Sequence, residues 1–283
     1  MNEGTMTVAA ALRLARALRV DRLDAQLLLA HVLGQARSWL LAHDEASLDT
    51  AQEAALRAVF GRRAGGEPLA YLLGEKEFHG LMLQVNAQVL VPRPDTEVLV
   101  DWALEVLAGT LAHIAHPRVV DLGTGSGAIA LAVKRGHAAA AVQATDVSTA
   151  ALRVAIANAE RLGLKVAMAA GSWWAAVEDQ RFHLALGNPP YIAGADPHLP
   201  GLRHEPMLAL SPGGDGLDAL RSIIAGARHH LEPDGWLLLE HGHDQAQAVH
   251  ALLHAQGFVG IETRHDLGGR PRCTGGYCRA VRA

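Results

Sequence analysis

A chain of 283 residues, 50% of them hydrophobic, has material for one large domain or two smaller ones with a sizeable core. A formal net charge of −4 argues against a protein that grips nucleic acid mainly through its phosphates, and no uncharged apolar run signals a membrane span. Two cysteines, Cys273 and Cys278, do not indicate a disulfide framework, and a lone C-x4-C spacing is a poor zinc signature. The N-terminus lacks a basic stretch followed by an apolar one, so the expectation is a reduced, cytoplasmic setting.

Along the chain, "TVAAALRLARALRV" and "DRLDAQLLLAHVLG" repeat apolar residues at three- and four-residue steps, with Gly34 stopping the second segment. "SLDTAQEAALRAVFGRRAGG" predicts another helix, ended by Gly61 and then Gly65-Gly66. A small helical bundle over residues 1–72 is expected. "EPLAYLLGEKEFHGLMLQVNAQVLVPRPD" changes texture, and its runs broken by Gly74, Gly80 and Asn86 predict a hairpin linker over 73–94. A helix from Thr96 to Leu107 follows, with Asp95 as its N-cap.

From Arg118 onward strands and helices alternate. "RVVDLG", "AAVQATD", "KVAMAAG", "FHLALGN", "GWLLLEHG", "FVGIETRHD" and a closing "YCRAVRA" read as strands. The helices between them include "SGAIALAVKRG" and "STAALRVAIANAERLG", the latter capped by Ser148 and stopped by Gly163. The pattern predicts an α/β fold for residues 95–283, with a largely parallel sheet covered by helices on both faces.

Within it, "VVDLGTGSGAIAL" sets Gly123, Gly125 and Gly127 between a strand and a helix, where α/β sheets bind ligands. With Ala128 the stretch also satisfies the dinucleotide pattern G-x-G-x-x-G/A, and it is not a P-loop. Asp146, ending the next strand, can accept both hydroxyls of a ribose, which together with the glycines points to an adenosine-containing cofactor. The bland alternative is a tight turn with Asp146 capping the following helix. Asp121 favours one cofactor: a pyrophosphate would dislike an anion there, whereas an ammonium and a sulfonium would welcome it, directly or through water. That description fits S-adenosyl-L-methionine. Trp173 lies where an adenine ring would stack, while Trp174 reads as core.

"GNPPY" at 187–191 ends a strand on a neutral amide. A planar NH2 group is a poor nucleophile because its lone pair is delocalised. Two acceptors, the Asn188 side-chain oxygen and the Pro189 carbonyl, can hold both of its N–H groups and turn the lone pair toward a methyl group. The prolines stiffen the loop and add no donor, and Tyr191 can flank the planar group. A rigid turn without chemistry is the alternative reading.

At these residues the chain resembles the Class I S-adenosylmethionine-dependent methyltransferases, and more narrowly the release factor glutamine methyltransferases of the HemK/PrmC family. The resemblance runs through "RLDAQLLLAHVLG", "GEPLAYLLGEKEFHG", "VLVPRPDTEVLV", "VVDLGTGSGAIAL", "GNPPYI", "HEPMLAL", "GGDGL" and "LLLEHG". "PRPDTE" together with "NPPY" carries most of its specificity. It implies a seven-stranded, mostly parallel Rossmann-like methyltransferase sheet behind a helical N-terminal domain that binds the substrate protein. It also implies methylation of the N5 amide nitrogen of the glutamine in the Gly-Gly-Gln loop of bacterial class 1 peptide chain release factors. By position, Gly123, Thr124, Gly125, Ser126, Gly127, Asp146 and Trp173 would bind the cofactor, along with Asp121 and Asn188. Asn188, Pro189, Pro190 and Tyr191 would hold the substrate amide, and Arg93, Pro94 and Thr96 would line the site. Ser172 stands where the family often has Asp, and His183 where an acidic residue is usual.

Other readings are weaker. "HGHD" at 241–244 offers metal ligands but no distant third one, so no metal is expected. Glu240 and His241 read as strand-end structure. A base amino-methyltransferase would want a basic cleft or a target-recognition domain, so no direct nucleic-acid contact is expected; a cofactor-binding module without activity would not need an intact Asn188-Pro189-Pro190-Tyr191.

Overall fold

A computed structural model describes residues 6–279. The chain divides into two compact units, one ending at Glu75 and the other beginning at Lys76.

The first unit is helical. Helix α1 (Val8–Ala17) is capped by the Thr7 hydroxyl, and α2 (Arg22–Leu33) by Asp21, with Gly34 closing α2 in the left-handed region. After α3 (Arg37–Ala42), helix α4 (Thr50–Ala64) opens on a reciprocal capping box between Asp49 and Gln52. Helix α5 (Leu69–Leu73) ends the unit. Val8, Leu28, Leu29, Leu56 and Phe60 are fully buried in its core. Helix α4 runs on through Gly61, contrary to expectation, and stops at Gly65. A mid-helix glycine costs only about 1 kcal/mol, and the buried Phe60 beside it holds the last turn in place. Helices α3 and α5 were not anticipated: each is too short to show a period and neither has a side-chain cap.

A hairpin, β1 (Glu75–Phe78) and β2 (Leu81–Gln84), begins at the boundary residue Glu75 and leads into the second unit. His79 and Gly80 join them with φ of 48° and 73°, as a type I′ turn requires. A 3-10 turn over Pro94–Thr96 leads into α6 (Glu97–Ala108). Asp95 is not its N-cap. Thr96 occupies that position with helical dihedrals and no capping bond, and the Asp95 carboxylate instead pairs with Arg272 at 2.9 Å.

The sheet follows in order: β3 (Arg118–Leu122), α7 (Ala128–Gly136), β4 (Ala141–Asp146), α8 (Thr149–Leu162), β5 (Ala167–Ala170) and β6 (Phe182–Gly187). Then come α9 (Asp218–His230), β7 (Leu231–Glu240), α10 (Ala246–Ala255), β8 (Phe258–His265) and β9 (Pro271–Cys278). The seven strands lie in the order β5-β4-β3-β6-β7-β9-β8. The first five of these are parallel, and β9 runs antiparallel between β7 and β8. The period of two is visible in the cores. Val119, Leu184, Leu186 and Leu238 face one layer with α6 and α7; Val120, Ala185, Leu237 and Leu239 face the other with α9 and α10. Helix α8 begins on the Ser148 cap and ends at left-handed Gly163, as the sequence suggests.

The last strand begins six residues before the expected "YCRAVRA" and ends at Cys278; residues 280–283 lie outside those described. The Gly275-Gly276 pair sits mid-strand, Gly275 pairing with Leu238 on one side and Glu262 on the other. Among the described residues no helix is long and apolar enough to cross a membrane.

Candidate active site

Strands β4 and β5 extend to one side of β3, and β6 and β7 to the other. The chains leaving β3 and β6 therefore diverge at the carboxyl edge of the sheet, where α/β folds open a crevice. A cavity of about 480 Å³ lies there, within the usual range for small-molecule sites. Gly123, Thr124, Gly125 and Ser126 form part of its wall, with Asp146 and Trp173 beside them. Asn188, Pro189 and Pro190 line it from β6, and Arg93 and Thr96 from the segment ahead of α6.

The glycine turn is held by its own neighbourhood. The Thr145 carbonyl accepts from the N–H groups of both Gly123 and Thr124, at 2.9 and 2.8 Å. The Asp146 carboxylate accepts from Gly125 N–H at 2.9 Å through Oδ2 and from Ser148 N–H at 2.8 Å through Oδ1. Each oxygen keeps lone-pair capacity for a further donor, so capping the next helix and receiving hydroxyls are compatible. Burial raises the Asp146 pKa, and the two N–H groups pull it part of the way back. Gly123 has φ of 79°, and a Cβ there would come 3.1 Å from the Trp173 ring. Trp173 itself has φ of 47°, a strained value for a bulky residue that persists only where the surroundings impose it. Trp174 is core: its Nε1 donates to the Ile223 carbonyl at 2.7 Å and its ring stacks on His230.

Asp121, expected to meet the cofactor directly or through water, stands behind the cavity wall. It is wholly buried beneath the turn and does not line the cavity. Its Oδ2 accepts from the Thr124 hydroxyl at 2.6 Å and from Ala130 N–H at 3.2 Å, while Oδ1 is buried without a partner. Desolvation, only partly offset by those bonds, pushes its pKa up to about 7. Its position at the strand end, behind the turn, makes it a brace for the turn. Gly127 likewise lies outside the cavity wall, at the start of α7.

The loop after β6 is held by residues far away in sequence. The Asn188 Nδ2 donates to the Thr96 hydroxyl at 3.3 Å. The Ile192 N–H donates to the Leu210 carbonyl at 3.0 Å, and the Ser211 hydroxyl donates to the Ile192 carbonyl at 2.6 Å. The Gln245 Nε2 donates to the Tyr191 carbonyl at 3.0 Å, and Gln245 Oε1 accepts from Gly242 N–H at 2.9 Å. Gly216, at φ of 82°, lies so close that a Cβ would come 2.3 Å from the Tyr191 carbonyl oxygen. Tyr191 does not line the cavity; its ring packs into the core and its hydroxyl reaches Glu240 Oε1 at 3.3 Å. Burial and the adjoining Glu240 raise the Tyr191 pKa beyond the ordinary tyrosine range. Glu240 is fully buried too, its Oε2 without a partner, and desolvation pushes its pKa up to about 7 against the hydrogen bond from Tyr191.

Several supporting residues have no local signature. Glu205, within "HEPMLAL", is buried; it accepts from Val91 N–H at 3.0 Å and pairs with the Arg93 guanidinium, fixing the segment that carries Thr96. Buried Asn158 accepts from Gln84 N–H at 2.7 Å and donates to the carbonyls of Gln84 and Ser126, joining hairpin, α8 and glycine turn. His183, unusual by the family pattern, uses Nδ1 to accept the Arg118 N–H at 2.9 Å, satisfying the backbone where β3 begins. Both ring nitrogens of His241 are engaged within the protein, by the Gly242 carbonyl and the Thr274 hydroxyl. Among the described residues no cluster of three His, Cys, Asp or Glu could hold a metal.

Comparison with known proteins agrees with this architecture. Residues 7–74 match the PrmC N-terminal domain and residues 96–203 the methyltransferase small domain. Among solved structures, a methyltransferase from Pyrococcus furiosus superposes with a TM-score of 0.52 at 17% identity, over 71% of this chain and 90% of that one. A T. thermophilus 16S rRNA N2 G1207 methyltransferase gives 0.55 at 18%, over 72% of this chain and 50% of that one. At such identities these two show the fold alone. The release factor glutamine methyltransferase of Bordetella pertussis is 51% identical over 91% of this chain and 95% of its own. That of Burkholderia pseudomallei is 47% identical over 98% and 99%. With such identity sustained from the helical unit through the last strands, the chain belongs to the release factor glutamine methyltransferase family.

Proposed function

We propose that the cavity binds S-adenosyl-L-methionine and that the protein methylates the N5 amide nitrogen of the glutamine in the Gly-Gly-Gln loop of bacterial class 1 release factors. The residues fit that cofactor. The backbone of Gly123–Ser126 offers close approach without side-chain bulk, the Asp146 carboxylate has acceptor capacity for the ribose hydroxyls, and the Trp173 ring borders the same wall for the adenine. The cofactor supplies an electrophilic methyl carbon on a sulfonium. The remaining work falls to the protein.

The observation that carries this reading is the bond from Asn188 Nδ2 to the Thr96 hydroxyl. It commits the donor end of the amide to the scaffold and leaves Oδ1 as the end that can accept from a substrate N–H. Oδ1 and the Pro189 carbonyl then grip the two N–H groups of a glutamine amide and turn its lone pair toward the methyl. Each such bond contributes only about 0.5–1.5 kcal/mol net. Alignment of reactants in a dry pocket can lower a barrier by about 7–11 kcal/mol, so positioning dominates over acid–base chemistry.

Incubation with methyl-labelled S-adenosyl-L-methionine tests the reading. A bacterial release factor should be labelled, and the same factor with its Gly-Gly-Gln glutamine replaced should not. Equal label on both, or label only on added nucleic acid, would overturn it.

A further inference from the structure

We infer that Asn158 is a positioning residue that ties the hairpin-side wall of the cavity to the glycine turn, so that cofactor binding and the seating of that wall depend on one amide. The cavity has Gly123–Ser126 on one side and Phe78, Gln88, Val89, Leu90 and Pro92 on another. These two stretches come from different elements. The turn follows β3, whereas the second wall is built from the hairpin and the chain leaving β2. Asn158, in α8, is wholly buried and lies outside the cavity wall.

Its side chain is fully used. Oδ1 accepts from Gln84 N–H at 2.7 Å, and Nδ2 donates to the Gln84 carbonyl at 3.0 Å. The amide thereby matches both backbone groups of the last residue of β2, as a neighbouring strand would. Nδ2 also donates to the Ser126 carbonyl at 3.0 Å. At the other end of that peptide, the Gly127 N–H donates to the Thr124 carbonyl at 2.9 Å. The peptide between Ser126 and Gly127 is therefore held at both ends, and Asn158 holds one of them. A primary amide suits this place because it brings one acceptor and two donors in a plane. An aspartate of the same size would keep the acceptor for Gln84 N–H but set a carboxylate against two carbonyls, with both donors gone. Arg161, three residues further along α8, holds the Met82 carbonyl and comes within 3.5 Å of Asn158 Oδ1, so it can serve such a carboxylate as counter-ion. The Ser126 peptide would then be free to rotate, and the wall beyond Gln84 would no longer be referenced to the turn. A cofactor would have to order both on binding, which weakens its affinity. This inference rests on the cofactor proposed above.

The substitution Asn158→Asp tests it. The Kd for S-adenosyl-L-methionine, read by calorimetry, should rise by about 10–100-fold, the range expected when buried carbonyls lose their donors. At saturating cofactor, kcat for release-factor methylation should fall by less than about fivefold. A residue that only stabilises the fold would leave the affinity of the folded protein alone. Leu253→Ala, a truncation of a fully buried residue in α10, gives that comparison: lower stability with unchanged affinity.

Amide hydrogen exchange supplies a readout free of catalysis. Without ligand, the Gly127 N–H should exchange about tenfold faster in Asn158→Asp than in the parent. S-adenosyl-L-methionine should slow exchange of the Gln84 N–H in the parent, although Gln84 lies outside the cavity wall, and should not slow it in the variant. Unchanged affinity in a folded Asn158→Asp protein, or a Gln84 amide in the parent that does not respond to the cofactor it binds, would overturn the inference. If Asn158→Asp fails to fold, the response of Gln84 in the parent decides alone. A parent that binds no S-adenosyl-L-methionine would sink the proposed function and leave ligand-free exchange at Gly127 to decide the joint.

Discussion

Two loops meet at the carboxyl edge of the sheet and are built on opposite principles. The glycine turn after β3 is fastened mainly from nearby, by Thr145, Asp146 and Asp121 within one β-α-β unit, with Asn158 of the next helix holding the Ser126 carbonyl. The asparagine loop after β6 is fastened from afar, by Thr96, Ser211, Gly216, Glu240 and Gln245. A loop that cradles a cofactor needs backbone shape, which local residues supply. A loop that must orient one amide needs several fixed points, and those come from whichever elements the fold brings alongside.

Perturbing each loop separates the two designs. The largest expected effect is on the distant-strapped loop: Asn188→Ala should reduce single-turnover methyl transfer by about a thousandfold or more while cofactor affinity, read by calorimetry, changes little. Near-normal turnover would end the amide-clamp mechanism. Next, Gly216→Ala places a methyl against the Tyr191 carbonyl at a backbone conformation alanine resists. Denaturant unfolding should show a loss of about 2–4 kcal/mol, with transfer reduced in whatever protein remains folded.

On the locally built side, Asp146→Ala removes an acceptor shared between the turn and the proposed ribose site. Cofactor affinity should weaken by about 10–100-fold, as loss of hydrogen bonds to a charged group predicts, with a smaller effect on transfer at saturating cofactor.

Asp121 gives a pH signature of comparable size. Its carboxyl ionises near 3.8 ordinarily and at about 7 in the fold, with burial the main cause. The folded state keeps a proton that the unfolded chain has released between those values. Stability from this group is therefore full below about pH 4 and lost as pH rises through about 7. Urea unfolding of the parent should lose on the order of 2 kcal/mol more than Asp121→Asn between pH 5 and 7. Parallel profiles for the two proteins would contradict the buried-carboxyl account.

The contrast between the loops also explains what could be read from sequence. The α/β pattern, the Ser148 cap and the Gly163 stop follow from short-range periodicity and capping, and the structure has them. The glycine turn and the Asn-Pro-Pro-Tyr stretch were visible as motifs because their residues are contiguous. Glu240, Gln245, Glu205 and Asn158 were not, because their partners Tyr191, Val91 and Gln84 lie 49 to 114 positions away and nothing in the intervening sequence marks the pairing. Asp95 looked like a helix cap because capping is a local rule, and an arginine from β9 claimed it instead. The extent of β9 was hidden for the same reason: its first six residues become a strand only with β7 on one side and β8 on the other.

Leu122 and Gly187 are ladder partners in adjacent parallel strands, and the two functional loops begin one residue beyond each. The proposed methyl-donor side and acceptor side therefore share a common starting line, separated by one strand spacing of about 4.8 Å. Deleting a single residue from β3 or β6 would slide one launch point past the other by about 3.3 Å and turn its side chains to the opposite layer. The sheet acts here as a ruler, and evolution can vary the loops freely only so long as that offset stays at zero.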